Sequence, residues 1–168
     1  MTPNMKSSNR KVNIRKATPQ DVQRISKLFH EIVSVLPYYT RSAKISEYKK
    51  YTPYDFEKLL AGDRDSVLLA FNDNEELLGY SINHFEDYVI WIDWIGVRAS
   101  ARKLNVGSSL VRELSRIGRK RNCHKIWCDT RTTNNPAIAF FRKLGFRKIG
   151  KVRKHWFGLD FYLWEKFI

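Results

Sequence analysis

The chain has 168 residues, of which 43% are hydrophobic and 14% aromatic, and this composition indicates a globular protein with a sizeable core rather than a disordered one. No apolar run approaches the roughly 20 residues that a membrane helix needs, so a membrane protein is not expected. The formal net charge of +14 could attract an anionic ligand, an acidic partner or nucleic acid, or could simply keep the surface solvated, but the basic residues form no recognisable nucleic-acid module.

The cysteines bear on the cellular compartment and on metal binding. Cys123 and Cys128 are the only two, and two thiols without a nearby pair of histidines form neither a disulfide framework nor a zinc site. No secretory apolar segment stands near Met1. We therefore expect a cytoplasmic protein that binds neither a metal nor a membrane.

The first predicted elements are a strand and a helix. Residues 1–11 are polar and show no periodicity, so we expect a disordered tail. Residues 12–17 alternate as a strand. Thr18-Pro19-Gln20-Asp21 then carries the N-cap, proline and acid of a helix start, and apolar residues follow at helical spacing as far as Val33. The length of the chain predicts a single domain over residues 12–168.

The next part of the chain has a less regular pattern. Residues 36–52 show no sustained period, and neither a helix nor a strand is predicted there. Thr52-Pro53-Tyr54-Asp55 repeats the helix-start pattern and predicts a short second helix. The apolar runs 66–71 and 77–85, separated by Asn72-Asp73-Asn74, predict a hairpin.

A strand that leads into a helix is the most informative stretch of the sequence. Residues 88–97 are rich in β-branched and aromatic types and predict a strand, and a helix with one apolar face opens on Gly107. Between them, residues 102–108 would present unpaired N–H groups at a helix N-terminus, where the helix dipole favours an anion. The sequence therefore predicts a phosphate-binding turn.

The end of the chain completes a mixed sheet. Residues 125–129 predict a strand, and Asn134 caps a helix that ends at Gly145. A hairpin of residues 147–154 and 160–164 follows. The order of elements predicts an α/β (α+β mixed sheet) fold with about seven strands and about four helices.

Two motifs resemble those of a known family. Arg102-x-x-Asn105-x-Gly107 is similar to the acyl-CoA pyrophosphate loop, Arg/Gln-x-x-Gly-x-Gly/Ala, of the GNAT superfamily of N-acetyltransferases. Residues 134–146 are similar to the Asn-x-x-Ala-x-x-Leu-Tyr-x-x-x-Gly-Phe helix of that family. Two positions depart from the pattern, because Asn105 replaces the first glycine and Phe141 replaces the tyrosine. Asn tolerates a positive φ better than other non-glycine residues, so the turn can keep its shape.

The resemblance implies the GNAT fold, acetyl-CoA as co-substrate, no metal, and direct attack of an amine on the thioester. Backbone groups of Ile95, Gly96 and Val97 would polarise the carbonyl and pair with the pantetheine arm. Asn134 would bond to this arm, and Phe141 would pack against it. The pyrophosphate would lie on the turn formed by Arg102, Lys103, Leu104, Asn105, Val106, Gly107 and Ser108.

Attack by an amine requires a base, because an amine of pKa about 10.4 is mostly protonated at neutral pH. Asp93 occupies a strand position where many members of the family carry an acid. Asp129-x-Arg131-x-x-Asn134 resembles the Glu-x-Arg-x-x-Asn of ribosomal-protein N-terminal acetyltransferases, whose Glu is the proposed base. Alternatively, Asp93 is a structural partner of an arginine and Asp129 bonds to loop N–H groups.

Departure of the CoA thiolate raises a second question, because Phe141 has no proton to give. Tyr162 or a water molecule could act as the acid instead, and a thiol of pKa about 8.5 can also leave unprotonated. The acceptor is not identified by any motif. Five tyrosines are candidate acceptor contacts or simply loop packing, namely Tyr38, Tyr39, Tyr48, Tyr51 and Tyr54.

The sequence thus predicts an acetyl-CoA-dependent N-acetyltransferase that acts on a primary amine, either small or on a protein, as a monomer or homodimer. Two alternatives remain. A non-catalytic acyl-CoA-binding protein would explain Asn105 and Phe141, and a basic nucleic-acid-associated protein is a less favoured explanation of the net charge.

Overall fold

A seven-stranded sheet runs through the computed structural model, which describes residues 11–168. The strand order is β1-β2-β3-β4-β5-β7-β6, and β4 and β5 pair in parallel whereas the other neighbours are antiparallel. The strands are β1 Asn13–Lys16, β2 Val67–Phe71, β3 Leu77–Glu86, β4 Val89–Val97, β5 Lys125–Arg131, β6 Arg147–Val152 and β7 Phe161–Phe167. The predicted tail 1–11 lies, apart from Lys11, outside the described residues.

Within residues 11–168, five α-helices accompany the sheet, one more than the sequence predicts. They are α1 Val22–Ser34, α2 Arg41–Lys50, α3 Pro53–Gly62, α4 Val106–Lys120 and α5 Asn135–Lys143. Short 3-10 turns form at Pro19–Asp21, Ala99–Ala101 and Trp156–Gly158. The additional helix is α2, which lies in the segment without a sustained period. Since α2 buries only Ala43 and Glu47, it has no apolar stripe for the sequence pattern to reveal.

Predicted helix starts are visible as side-chain caps. Thr52 Oγ1 accepts a bond from the N–H of Asp55, and the Asp55 carboxylate accepts one from the N–H of Thr52 at 3.0 Å. Before α1, the Asp21 carboxylate accepts bonds from Thr18 and from the Arg15 guanidinium at 2.7 and 2.8 Å. These caps fix the ends of α1 and α3, which cover one face of the sheet.

Two hydrophobic cores lie on opposite faces of the sheet, because successive strand residues point to opposite sides. In β2, Leu68 belongs to the core that includes α4 and α5, whereas Leu69 belongs to the core that includes α1 and α3. Ile25 and Phe29 of α1 are fully buried in the second core. The predicted apolar face of the first helix is therefore its buried face.

Within residues 11–168, no helix combines the length and apolar composition that crossing a membrane would need. In the same residues, His, Cys, Asp and Glu side chains do not gather into a group that could hold a metal ion.

Candidate active site

A cleft opens where β4 and β5 separate. Val89–Ile92 pair with Lys125–Cys128, and within residues 11–168 no further pair joins the strands, although β4 continues to Val97 and β5 to Arg131. A cavity of about 110 Å³ lies in this gap. It is lined by Ile92, Asp93, Trp94 and Ile95 of β4, by Cys128, Asp129, Thr130 and Arg131 of β5, and by Ile32, Leu36, Tyr38, Tyr39, Asn134, Ala137, Phe141 and Phe161. The edge of β4 that faces the gap is free to pair with an extended chain that carries amide groups.

A β-bulge places Asp93 at this cleft. The neighbours of Asp93, which are Ile92 and Trp94, pair with Asn83 and Ile82 of β3, so Asp93 is the extra residue of β4. Bulges redirect a side chain and increase the local twist of a strand. The bulge therefore accounts both for the inward position of Asp93 and for the divergence of β4 from β5.

The Asp93 carboxylate contacts His84 rather than an arginine, so the arginine partner considered from the sequence is wrong. His84 Nδ1 meets Asp93 Oδ2, with 20% of the Asp93 side chain exposed and 58% of the His84 side chain exposed. Burial raises the pKa of Asp93 above its ordinary value, and the contacts with His84 and Trp91 oppose part of this rise. Asp93 is thus a carboxylate with a raised pKa in a cleft, which suits a general base.

Asp129 is the second carboxylate in the cleft. The indole N–H of Trp156 donates to its Oδ2 at 2.8 Å, and His155 Nε2 lies 3.8 Å from the same oxygen. Burial raises the pKa of Asp129, while Trp156 and His155 lower it. The negative charge of Asp129 also raises the pKa of Asp93, so the two carboxylates act on each other.

The turn before α4 has the backbone shape expected of a phosphate loop. Asn105 lies in the left-handed region with φ 61° and ψ 14°, and Lys103 has φ 65°. Helix α4 begins at Val106, one residue earlier than predicted, and the Ser109 N–H donates to the Asn105 carbonyl at 2.9 Å. Within residues 11–168, the first N–H groups of α4 have no intrahelical acceptor and remain available to an external one, and the exposed Arg102 belongs to the preceding turn. These residues fit a pyrophosphate.

The backbone of β4 leads from this turn to the cleft. Ile95 lines the cavity, while Gly96 pairs with Tyr80 of β3. A Cβ atom on Gly96 would lie 2.7 Å from the Tyr80 ring, so only glycine permits this packing. Beyond it, Val97 packs against the core that includes α4. The predicted segment Ile95–Val97 thus runs along the open edge of β4.

Asn134 caps α5 and connects it to the loop after α1. Its Oδ1 accepts a bond from the Ala137 N–H at 3.2 Å, and its Nδ2 donates to the Tyr38 hydroxyl at 2.9 Å. Arg131 Nε also donates to the backbone carbonyl of Tyr38 at 3.4 Å. Tyr38 is therefore fixed across the cleft from α5.

The predicted aromatic residues occupy different places. Phe141 lines the cavity and is 2% exposed, with its ring stacked on Trp164. Tyr162 is not among the residues that line the cavity; its ring lies edge-on to Trp164 and beneath the Lys148 ammonium, which is 4.4 Å from the ring centre. The structure therefore brings Phe141 to the cleft together with Asp93, Asp129 and Asn134, but not Tyr162.

Sequence reasoning missed the partners of the two carboxylates, which include His84 for Asp93, and Trp156 and His155 for Asp129. His84 meets Asp93 because β3 and β4 form a hairpin, and a bulge makes that pairing hard to read from spacing. Trp156 reaches Asp129 from a tight turn in which Phe157 has φ 57° and Gly158 has φ 68°. The sequence signal that was available for Trp156 is the pair of aromatic residues that precedes Gly158 in the closing hairpin.

Comparison with protein families agrees with this arrangement. The model of the acetyltransferase (GNAT) family matches residues 31–146, which include β4, the turn, α4, β5 and α5. The N-alpha-acetyltransferase of Sulfolobus acidocaldarius is 28% identical over 165 residues, which span 93% of this chain and 94% of that protein.

Solved structures show the same fold. The PaiA N-acetyltransferase from Thermoplasma acidophilum, solved in complex with coenzyme A, superposes with a TM-score of 0.81 at 16% identity. The superposed region spans 94% of this chain and 99% of that protein. The ribosomal-protein-alanine N-acetyltransferase from Brucella melitensis has a TM-score of 0.75 at 22% identity, with coverages of 93% and 99%. The predicted fold class, a mixed sheet of seven strands flanked by helices, is confirmed.

Proposed function

The chain belongs to the GNAT family of acetyltransferases, and we propose that its acceptor is the α-amine of a peptide or protein. As a member of this family, it is an acetyl-CoA-dependent N-acetyltransferase. The choice of an α-amine is supported by the relative from Sulfolobus acidocaldarius, which carries the name N-alpha-acetyltransferase and aligns along nearly the whole chain.

The observation that carries the proposal is the pair of carboxylates, Asp93 and Asp129, in one cleft beside the open edge of β4. One carboxylate takes a proton from the acceptor ammonium, while the other holds the ammonium by its charge. An α-amine has a pKa of about 7.7–8.0, whereas a lysine amine has a pKa of about 10.4. Deprotonation at pH 7 therefore costs roughly 1 kcal/mol for the α-amine but more than 4 kcal/mol for lysine. A carboxylate base has a pKa nearer to that of an α-amine than to that of a lysine amine, so it is better matched to the α-amine.

In this proposal, the residues predicted to bind acetyl-CoA keep that role. When bound, acetyl-CoA supplies an activated acyl group. Residues 102–108 hold its pyrophosphate by their backbone N–H groups and by the charges of Arg102 and Lys103. The edge of Ile95–Val97 pairs with the pantetheine amides and presents an N–H to the thioester oxygen. Asn134 and Phe141 border the same arm from α5.

Thiol release with matched peptides tests the proposal. Each peptide is offered with a free N-terminus and, as a control, with the N-terminus already blocked but an internal lysine left free. We expect thiol release and a mass increase of one acetyl group only with the free N-terminus. Polyamines and amino sugars complete the panel. Equal turnover of the blocked peptides, or turnover of polyamines alone, would refute an α-amine acceptor.

A further inference from the structure

The chain lacks the tyrosine that members of the resembled family carry at the position of Phe141, yet the cleft contains other phenols. Tyr38 and Tyr39 of the loop between α1 and α2 both line the cavity that Phe141 lines. A proton donor for the departing thiolate can therefore come from this loop. This donor must be a hydroxyl group of a residue that lines the cavity, and its hydrogen must not already be donated to another group of the protein.

Tyr38 meets this condition. Asn134 Oδ1 is committed to the Ala137 N–H, and this bond turns Asn134 Nδ2 towards the Tyr38 hydroxyl. Since the amide nitrogen of Asn134 can only donate, the Tyr38 oxygen accepts and its own hydrogen is left over. Within residues 11–168, that hydrogen has no acceptor.

Helix geometry relates the Tyr38 hydroxyl to the position of the missing hydroxyl. Asn134 and Phe141 are seven residues apart, which is two helical turns, so they lie on the same face of α5 about 10 Å apart along the axis. Helical side chains lean towards the N-terminus, so the Phe141 ring extends towards Asn134 and thus towards the Tyr38 hydroxyl. The side chains of Tyr38 and Phe141 border the same cavity.

We propose that Tyr38 is the general acid that protonates the departing CoA sulfur. This inference rests on the proposed acetyl transfer. As the bond between the acyl carbon and sulfur breaks, its electron pair goes to sulfur, the Tyr38 O–H bond breaks and an S–H bond forms. The Tyr38 phenolate then takes a proton from water.

The surroundings of Tyr38 suit both halves of this step. Burial raises the pKa of Tyr38 above its ordinary value, so the phenol holds its proton at neutral pH. The charge of Arg102 and the bond from Asn134 both oppose this rise in pKa, because they stabilise the phenolate. The proton is therefore retained in the resting enzyme, and the anion formed on its transfer is supported.

Steady-state kinetics of three variants test the assignment. Tyr38→Phe should lower kcat roughly tenfold, with little change in the KM for acetyl-CoA. This loss of kcat is smaller than the usual roughly 10²–10⁴-fold loss for a general acid, because a thiolate is a good leaving group. Phe141→Tyr in the Tyr38→Phe background should restore kcat, because it returns a hydroxyl to the cleft. Tyr88→Phe, at a 66% exposed position in the β3–β4 turn, serves as the control. Loss of rate without recovery in the double variant would mean that Tyr38 is only structural.

A binding measurement gives an independent readout. The ultraviolet absorbance of the thiolate reports the pKa of the CoA thiol while CoA is bound. A hydroxyl that donates to sulfur lowers this pKa, so Tyr38→Phe should raise it whereas Tyr39→Phe should not. An unchanged thiol pKa in Tyr38→Phe would overturn the inference, as would a rise in Tyr39→Phe alone. This titration needs no acceptor. It therefore tests the role of Tyr38 independently of the acceptor. A failure to acetylate any amine of the acceptor panel would instead count against the proposed function.

Discussion

Replacing Asn105 by alanine should weaken both the fold and coenzyme binding, and a second asparagine provides a matched control. Asn105 and Asn122 are both exposed, with φ of 61° and 60°, and neither side chain makes a hydrogen bond within residues 11–168. Asn105 lies in the turn before α4, whereas Asn122 follows the end of α4. Alanine at either position removes only the tolerance for a left-handed backbone.

The size of the effect follows from that conformation. A left-handed backbone costs an ordinary L-residue about 1–2 kcal/mol, and asparagine tolerates it better, so each alanine variant should lose about 1 kcal/mol of stability. In a domain of this size, that loss lowers Tm by about 2–4 °C. If the alanine turn relaxes in the free protein and must regain its shape to hold the pyrophosphate, that part of the cost falls on binding instead of on folding. Asn105→Ala should then raise the Kd for CoA by up to about fivefold, since 1.4 kcal/mol corresponds to a factor of ten.

Thermal unfolding and calorimetric titration with CoA measure the two effects separately. Asn122→Ala should unfold at a reduced temperature, Asn105→Ala should lose no more than this in Tm, and only Asn105→Ala should bind CoA more weakly. Asn105→Gly, which introduces the residue typical of the family, should retain binding. If Asn105→Ala binds CoA as the unmodified protein does, or if Asn122→Ala weakens binding equally, the assignment of this turn to the pyrophosphate is refuted.

Further predictions concern the carboxylates. Asp93→Asn and Asp129→Asn should each lower turnover by roughly 10²-fold with CoA affinity retained in calorimetry, and unmodified rates in both variants would exclude both as the base. His84→Ala should move the acid limb of the pH–rate profile to higher pH, because the His84 contact lowers the pKa of Asp93; an unmoved limb would show that Asp93 does not control it. Arg15 and Thr18 lower the pKa of Asp21 to about 2 from an ordinary 3.8, so the stability that Asp21 contributes is present above pH 3.8 and is lost as the pH falls towards 2. Arg15→Met should therefore shift acid unfolding, followed by circular dichroism, to higher pH, and an identical transition would contradict this linkage.

Much of the fold was predictable because most elements have strong local signals. The alternating strands, the apolar faces of α1 and α4, and the caps at Thr52 and Asn134 all appear in the sequence, and the structure contains them. Helix α2 could not be predicted because its residues are held by neighbouring elements rather than by an apolar stripe of its own. Tertiary packing, rather than periodicity, determines that helix.

The site was less predictable than the fold. The left-handed conformation of Asn105 could be anticipated, since a glycine position filled by asparagine keeps the same backbone preference. The His84 contact with Asp93 could not, because a bulge shifts the register by one residue and so changes which side chains meet. The hydrogen bond from Asn134 to Tyr38 could not be predicted either, because the two residues are far apart in sequence and the loop that contains Tyr38 carries no motif.

The short ladder between β4 and β5 has a mechanical consequence. Among residues 11–168, it is the only backbone pairing that joins strands β1–β4 to strands β5–β7, and it extends only from Val89 to Ile92 on the β4 side. A pantetheine arm that pairs with the free edge of β4 would lengthen this junction and act as a brace between the two groups of strands. Slower amide hydrogen exchange at residues 162–167 of β7, none of which is among the residues that line the cavity, would then report that the coenzyme is loaded.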